Sequence, residues 1–374
     1  TLQVVPIDLK LLTELQILDI LKNSAEILLE RAYHQAIRLD DFWDDLSDVE
    51  QLDIAVARAV VMEDIVHHLK ELKVKRPPID SLLNEYRQDL QREKEAQHNR
   101  QEYRSCRHDI IDRIRNEIEN DTALQDALLE AKRVKIQDYQ YRVASVPFEL
   151  FQNADDALEE RLEIECADID YSEKQRRFVV ESSSNEIVIF HWGREVNQYR
   201  TLEGTLDGRE RGFDADLEKM LTLNVSDKGN ETTGKFGLGF KSSLLICDSP
   251  EIYSGRLAIR ITAGMLPEVS PDAEKMSSLV KQHALDGRSP TLIRLPVRPP
   301  VDISDVLSEF KRAVGLLPVF SKQIDTIVID DEEYGWKPRH SRRVEGLSFG
   351  YAALPVQGDK LRKQRVAQFK GRHG

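Results

Sequence analysis

No apolar run in this sequence approaches the ~18 residues that a membrane-spanning helix needs, and Thr1 to Lys10 lack the charged-then-apolar layout of a secretory signal. The expectation is a cytoplasmic chain that works without a membrane. Cysteine is scarce: Cys106, Cys166 and Cys247 are far apart, odd in number and without metal-ligand spacing. That argues against a disulfide scaffold or a zinc site and for three reduced thiols with no assigned role. Positive charge is in deficit, 53 Lys and Arg against 66 Asp and Glu, for a net charge of −13. Whole-surface attraction to nucleic acid is thereby excluded, and only local basic patches are left for it. Glycine is missing from the whole first half, since all 18 lie at or after Gly193, and no proline falls between Pro78 and Pro147. Few residues there break a helix. The chain opens on Thr1 rather than methionine, as expected of a processed chain or a piece of a longer one.

What is present before residue 141 reads as helix. Leu11, Leu12, Leu15, Leu18, Leu21, Ala25, Leu28 and Ala32 recur at three and four residues, predicting one long helix or two shorter ones from Asp8 to about Leu39. A second helix is expected from about Val49 to Leu72, ended by Arg76-Pro77-Pro78. Ile79 to Tyr141 is amphipathic at both ends and polar from Gln91 to Arg107, which suits a helical hairpin or an exposed long helix with a solvated charged face. Residues 1–141 are thus expected to be a helical region, either an arm or a dimerisation element. No sustained heptad marks it as a coiled coil.

The chemistry concentrates in two stretches. The first is Glu149-Leu150-Phe151-Gln152-Asn153-Ala154-Asp155-Asp156-Ala157. As a helix starting near Ser145 and Pro147, it carries Glu149, Asn153 and Asp156 on one face and Leu150, Ala154, Ala157 and Leu158 on an apolar stripe. Alone, three polar residues on a face are usually a solvated face. The second stretch is Gly234-Lys235-Phe236-Gly237-Leu238-Gly239-Phe240, followed by Lys241. Closely spaced glycines leading into a helix let backbone N–H groups approach phosphates at the helix's positive end.

In this order, the two stretches resemble the motifs E-L-x-Q-N-A-x-D-A and G-K-F-G-x-G-F of the GHKL superfamily of ATPases, whose members have the Bergerat fold. The nearest likeness is to the ATP-binding module of sacsin, akin to the N-terminal domain of the ninety-kilodalton heat-shock chaperones. The resemblance covers about Val143 to Asp330. It implies an α+β fold, a two-layer α/β sandwich with a mixed, mainly antiparallel sheet, over residues 142–330. The helical region would precede it, and residues 331–374 would be a C-terminal extension, the start of a further region or a frayed basic tail bearing Lys360, Arg362, Lys363, Arg365, Lys370 and Arg372. The resemblance further implies ATP and Mg²⁺ as cofactors. Asn153 would be the metal ligand and Glu149 the residue that orients or deprotonates water. Asp156, Gly193, Gly234, Lys235, Phe236, Gly237, Leu238, Gly239, Phe240 and Lys241 would surround the nucleotide, and Thr291 would reach the adenine from the far side.

One position departs from the pattern. Where the family carries Asp-x-Gly, with the carboxylate accepting a hydrogen bond from the adenine amino group, this chain has His191-Trp192-Gly193. A neutral imidazole has a single acceptor nitrogen, so a weaker adenine contact is implied. Around these motifs, Arg177–Glu181 and Glu186–His191 predict a β-hairpin, and Glu195–Thr233 holds the family's lid position with a short helix near Asp216–Leu223. Lys241–Cys247 predicts a helix, and Ile252–Thr262 and Thr291–Val297 predict strands separated by a polar insertion near Pro267–Pro290. A helix near Ile303–Leu316 and a strand near Ile324–Ile329 follow.

The expected function is Mg²⁺-dependent ATP binding and hydrolysis that drives a lid and arm movement, in a chaperone-like or remodelling role, with defence against phage among the settings in which bacterial relatives occur. Its partners would be the nucleotide, a protein client or partner subunit, or a second copy in a homodimer. The alternative is a nucleotide-gated interaction module without useful turnover. A histidine kinase would need a phospho-acceptor helix, for which only His67 and His68 offer themselves.

Overall fold

The computed structural model describes residues 77–95, 113–165, 173–199, 211–221, 239–255, 257–340, 346–355 and 361–369, with Leu69, Ile110 and Gly208 standing singly. The helices expected before residue 72, and with them His67 and His68, lie outside the described residues. Helix α1 runs Pro77–Glu95 and α2 runs Thr122–Asp138, preceded by a helical stretch at 113–120. The hairpin alternative is the one observed: Arg113 reaches back to Glu85 at 3.0 Å. Asp121 starts α2 by accepting a hydrogen bond from the Leu124 amide at 3.1 Å, an N-cap of the usual kind. Pro77 and Pro78 open α1, in the first turn where a missing N–H costs nothing.

An eight-stranded sheet follows: β1 (Arg177–Ser182), β2 (Glu186–His191), β3 (Glu251–Ser254), β4 (Leu257–Thr262), β5 (Leu266–Val269), β6 (Thr291–Pro296), β7 (Thr326–Ile329) and β8 (Glu332–Gly335), in the spatial order β5-β4-β3-β6-β2-β1-β7-β8. Only β1 and β7 run parallel; every other pairing is antiparallel. The protein is therefore α+β with a mixed, mainly antiparallel sheet.

Period-two alternation sorts the strand residues between the two faces. Phe178, Val180, Ile187, Ile189, Ile293 and Leu295 face the main core, which also takes Leu150, Ala154 and Leu158 of helix α3 (Val146–Ile164) and Val306, Leu307 and Phe310 of helix α6 (Ile303–Ala313). Phe151 meets Phe178 edge to face at 5.5 Å, and Phe148 meets Phe310 at 5.2 Å, a favoured aromatic geometry. The same contiguous core includes Ile79, Leu83, Ile118, Leu124, Leu128 and Ile136 of the preceding helices. On the reverse face, Val179, Val188, Phe190 and Leu292 pack under Met276 and Val280 of helix α5 (Ala273–Gln282). Among the described residues the sheet thus carries helix on both faces, one broadly and one through the short α5, rather than on one face only.

Three other expectations are corrected. Ile252–Thr262 is two strands, because Gly255 at φ +57° turns the chain between them, and the insertion near Pro267–Pro290 holds β5 and α5. The segment after the glycine loop is a 3₁₀ helix, Phe240–Leu245, not an α-helix. Arg362, Lys363 and Arg365 of the basic tail are paired rather than frayed: β10 (Leu347–Pro355) and β11 (Leu361–Phe369) pair along their whole length and, with β9 (Arg339–His340), form a second sheet, while Lys360, Lys370 and Arg372 lie outside the described residues. The expected strand near Ile324–Ile329 and helix near Asp216–Leu223 appear as β7 and α4 (Asp216–Leu221).

Candidate functional site

Helix α3 carries the first motif. Its start differs in detail from the expectation: Ser145 makes no cap bond to α3 but bonds Arg142 in the preceding 3₁₀ turn, accepting from its amide at 3.0 Å and donating to its carbonyl at 2.6 Å. Pro147 sits in the first turn, as its fixed φ allows. Leu150, Phe151, Ala154 and Leu158 are buried, which turns Glu149 and Asn153 onto the half-buried edge of the helix.

Gly239, far away in sequence, closes on that edge. A Cβ built on it would stand 2.9 Å from Glu149 Oε2, 3.2 Å from Asn153 Nδ2 and 3.3 Å from Asn153 Oδ1. Only a glycine lets the backbone come this near to the acid and the amide together. Gly239 has ordinary right-handed dihedrals, φ −58° and ψ −53°, so space and not backbone conformation demands glycine here. Gly234, Lys235, Phe236, Gly237 and Leu238 lie outside the described residues. Phe240 is buried in the main core and serves packing through its side chain. Lys241 is buried too, and burial brings its pKa down to about 7. Burial also pushes the Glu149 carboxyl above its ordinary range.

The other end of the site lies one turn further along α3. Gly193 packs on Ala157 so closely that a Cβ there would lie 2.7 Å from the Ala157 Cβ and 2.8 Å from its carbonyl carbon. The Arg194 amide donates to the Ala157 carbonyl at 2.8 Å. His191, the last residue of β2, faces Thr291, the first of β6, in the antiparallel register. Both lie on the α3 side of the sheet by alternation with Ile189 and Ile293, and the Thr291 hydroxyl is 2.7 Å from that of Ser254. The ring of His191 is buried, which lowers its pKa to about 4, and its Nδ1 accepts a hydrogen bond from the Gly193 amide at 3.3 Å. The sequence reading left that acceptor nitrogen open for a ligand; the fold has already used it.

The adjacent aspartates of the motif have separate surroundings. Asp156 pairs with Lys322 at 2.9 Å. Asp155, to which the sequence suggested no role, is buried and accepts hydrogen bonds from the backbone amides of Lys322, Gln323 and Ile324 at 2.7, 2.8 and 2.8 Å. It ties α3 to the chain entering β7. Beyond Gly193, Arg194 is buried between Glu160 at 2.8 Å and Asp216 at 2.6 Å, with Phe213 under its guanidinium at 4.0 Å. This knot fastens α4 to α3 at the foot of the expected lid.

Two further groups with shifted pKa values lie near these elements unforeseen. Tyr141 stands near Glu149, and its hydroxyl pKa is raised by burial and by that carboxylate. Lys132 of α2 is fully buried, donates to the Gly264 carbonyl at 2.7 Å, and is held well below its ordinary pKa by burial and by the neighbouring charge of Lys241. Next to it, Arg133 donates from Nε to the Leu244 carbonyl at 2.7 Å and pairs with Asp248. The signal for Lys132 was present, since it falls on the apolar stripe of Leu124, Leu128, Leu129 and Ile136. Nothing in the sequence pointed to Tyr141. Cys247 is buried and its thiol is pushed up to about 12, in keeping with an inert packing residue.

Among the described residues no three His, Cys, Asp or Glu side chains gather as a metal cage. The donors at the Glu149–Asn153 edge are one carboxylate and one amide, a set that fits Mg²⁺, which keeps waters and is completed by phosphate oxygens. Among the described residues no helix is long and apolar enough to cross a membrane. No family model matches the chain, and no curated protein matches it either.

Proposed function

We propose that this protein is a GHKL-type ATPase that binds Mg²⁺–ATP between α3 and the glycine loop, within a Bergerat-type sandwich, and hydrolyses it. The observation that carries the reading is the closure of Gly239 on Glu149 and Asn153: residues 86 or more positions apart in the sequence meet, and they meet through a glycine whose hydrogen faces the acid and the amide. A phosphate-bearing ligand is what a glycine backbone at a carboxylate–amide pair is suited to hold, provided a cation balances the charge. Asn153 would give its amide oxygen to Mg²⁺, and the bound ion would neutralise the phosphates. Glu149 would orient the attacking water and accept its proton, a task favoured by a carboxyl whose pKa burial has raised. Lys241, with a pKa of about 7, would take up its full charge when an anion arrives.

The wider role follows from attachment. Arg133 of α2 holds the carbonyl of Leu244 in the 3₁₀ turn beyond the glycine loop, so a shift of that loop is mechanically linked to the helical region. We read this as the basis for a nucleotide-driven movement of lid and helices in a chaperone-like or remodelling role, acting on a protein client.

The test is phosphate release beside calorimetry with and without magnesium. Glu149→Gln should keep Mg²⁺–ATP bound and slow hydrolysis roughly 10²–10⁴-fold. Asn153→Ala should weaken magnesium-dependent binding itself. Tight binding with no turnover in the parent protein would leave a nucleotide-gated interaction module; no binding of any nucleotide would remove the reading altogether.

A further inference from the structure

Strands β10 and β11 invert the charge of the chain around them. Neither carries an Asp or Glu, and from Lys360 to Gly374 the sequence has none at all, in a protein whose net charge is −13. Strand β11 is also an open edge, since among the described residues only β10 pairs with it. Lysine and arginine on an edge strand commonly serve to keep other strands off. Here packing arranges them further. Ala352, Leu354 and Val366 turn toward Val319 and Trp336, Gly350 lies so close to Trp336 that a Cβ would stand 2.5 Å from its ring, and the Gln368 side-chain amide donates to the Val319 carbonyl. The Ala353 carbonyl abuts Gly315, just beyond α6, where a Cβ would stand 1.6 Å from its oxygen. The ribbon is thus fastened along one side. By the two-residue period of a strand, Phe349, Tyr351, Lys363 and Arg365 share the other face. There Tyr351 is 57% exposed and stands directly across the register from Arg365, whose guanidinium also lies over the Phe349 ring at 5.5 Å.

Beside this face runs a groove of about 740 Å³, walled by Lys311 and Arg312 of α6, Tyr351 and Lys363 of the ribbon, and Glu332 and Glu333 of β8. Lys311 pairs with Asp330 at 3.4 Å, and Glu332 accepts a hydrogen bond from the Tyr334 hydroxyl. The acids sit on the β8 wall, so the positive side of the groove is the ribbon with α6. We propose that this side is a binding surface for single-stranded nucleic acid. A phosphate chain supplies the charges that Lys363, Arg365 and the α6 cations attract. An unpaired base supplies the flat face that stacks on an exposed tyrosine beside a guanidinium. An acidic peptide would answer the cations and leave the ring unused, and a duplex keeps its bases stacked on one another. The net negative charge of the chain does not forbid binding, because at about 0.15 M salt exposed charges more than ~8 Å away are largely screened. None of these residues belongs to the α3–Gly239 site, so the two sites are tested apart.

Fluorescence anisotropy of the full chain decides the matter, with labelled oligo(U), oligo(dT), a short DNA duplex and a polyglutamate peptide, between about 50 and 200 mM salt. Single strands should bind at least about tenfold more tightly than the duplex or the peptide. Their log K should fall against log salt with a slope near −2, about −0.7 for each of three phosphate contacts. Tighter binding of oligo(U) would name RNA as the ligand, and of oligo(dT), DNA. Lys363→Gln and Arg365→Gln should each flatten the slope by about 0.7, whereas Tyr351→Ala should weaken single-strand binding about tenfold and leave the slope unchanged. Tyr351→Phe, which keeps the ring, should bind as the parent does. All three positions are exposed, and unchanged thermal unfolding shows that the variants fold. Duplex or polyglutamate bound as tightly as the single strands, or a Tyr351→Ala variant as tight as the parent, would overturn the proposal. So would a parent chain that binds no single strand at about 50 mM salt, and the cations of β11 would then serve edge protection alone.

Discussion

On the proposed nucleotide reading, a single hydrogen atom on Gly239 separates an open Glu149–Asn153 edge from a blocked one. The nearest obstacle to a methyl group there is the far end of a flexible glutamate, and the backbone is already helical, so Gly239→Ala should fold with a Tm close to the parent's. The acid must nevertheless swing away, and the proposed nucleotide turnover should fall by at least about tenfold, because a general base displaced by ~1 Å loses much of its effect. Thermal unfolding beside phosphate release checks both halves. Glu149 has a separate cost. Its pKa is raised in the folded protein, so folding takes up a proton between the unfolded and folded values, and the stability this gives is present at low pH and lost as pH rises through the raised value. Glu149→Gln should accordingly raise the Tm at neutral pH and leave it unchanged near pH ~4, below the ordinary glutamate value. An unaltered Tm at neutral pH would mean that the carboxylate is better solvated than its burial implies.

At the level of elements, helix α3 shows how neighbouring letters divide their work. Asp155→Ala would strip the acceptor from three backbone amides entering β7 and should cost about 3 kcal/mol, the scale of leaving buried donors unpaired. Asp156→Ala removes a partner of Lys322, which is 49% exposed, and should cost less than ~1 kcal/mol, as surface pairs do. Chemical denaturation of the two variants separates them. The same helix marks the reach of sequence reasoning. The spacing of Glu149, Asn153 and the apolar stripe was legible, because helical geometry is local. That Asp155 and not Asp156 anchors β7 was not, because its partners are backbone amides at Lys322 to Ile324. The β1–β2 hairpin was legible from Phe178, Val180, Ile187 and Ile189 alternating with a polar turn between. The β10–β11 hairpin was not: Arg362, Lys363, Gln364 and Arg365 are all exposed, so strand β11 shows no apolar side to read. Helix α5 was lost in a polar insertion since Met276 and Val280 are its only buried residues.

Over the whole molecule, the core that begins under α1 and α2 runs without a break into the sheet, joined by Lys132 inside it. A lysine held below its ordinary pKa releases a proton on folding, so stability rises with pH between its lowered folded value and the unfolded value of ~10.4. Lys241, at about 7, adds to the same slope. The parent Tm should climb between pH 7 and pH ~9.5, and the climb should be shallower in Lys132→Met, which keeps the stem and removes the charge. Equal slopes in the two proteins would show that Lys132 stays hydrated.

The grip of α2 on the turn beyond the glycine loop has a consequence for amide exchange with solvent. Arg133 fixes the Leu244 carbonyl, while the amides of Ile246 and Cys247 are bonded to the Ser243 carbonyl at 3.0 and 2.9 Å. Those deuterium-exchange rates should already be slow in the free protein, and added nucleotide should slow them little further. This half of the site loses its conformational entropy when the chain folds, not when the ligand arrives, so the entropy change of binding should report ordering elsewhere.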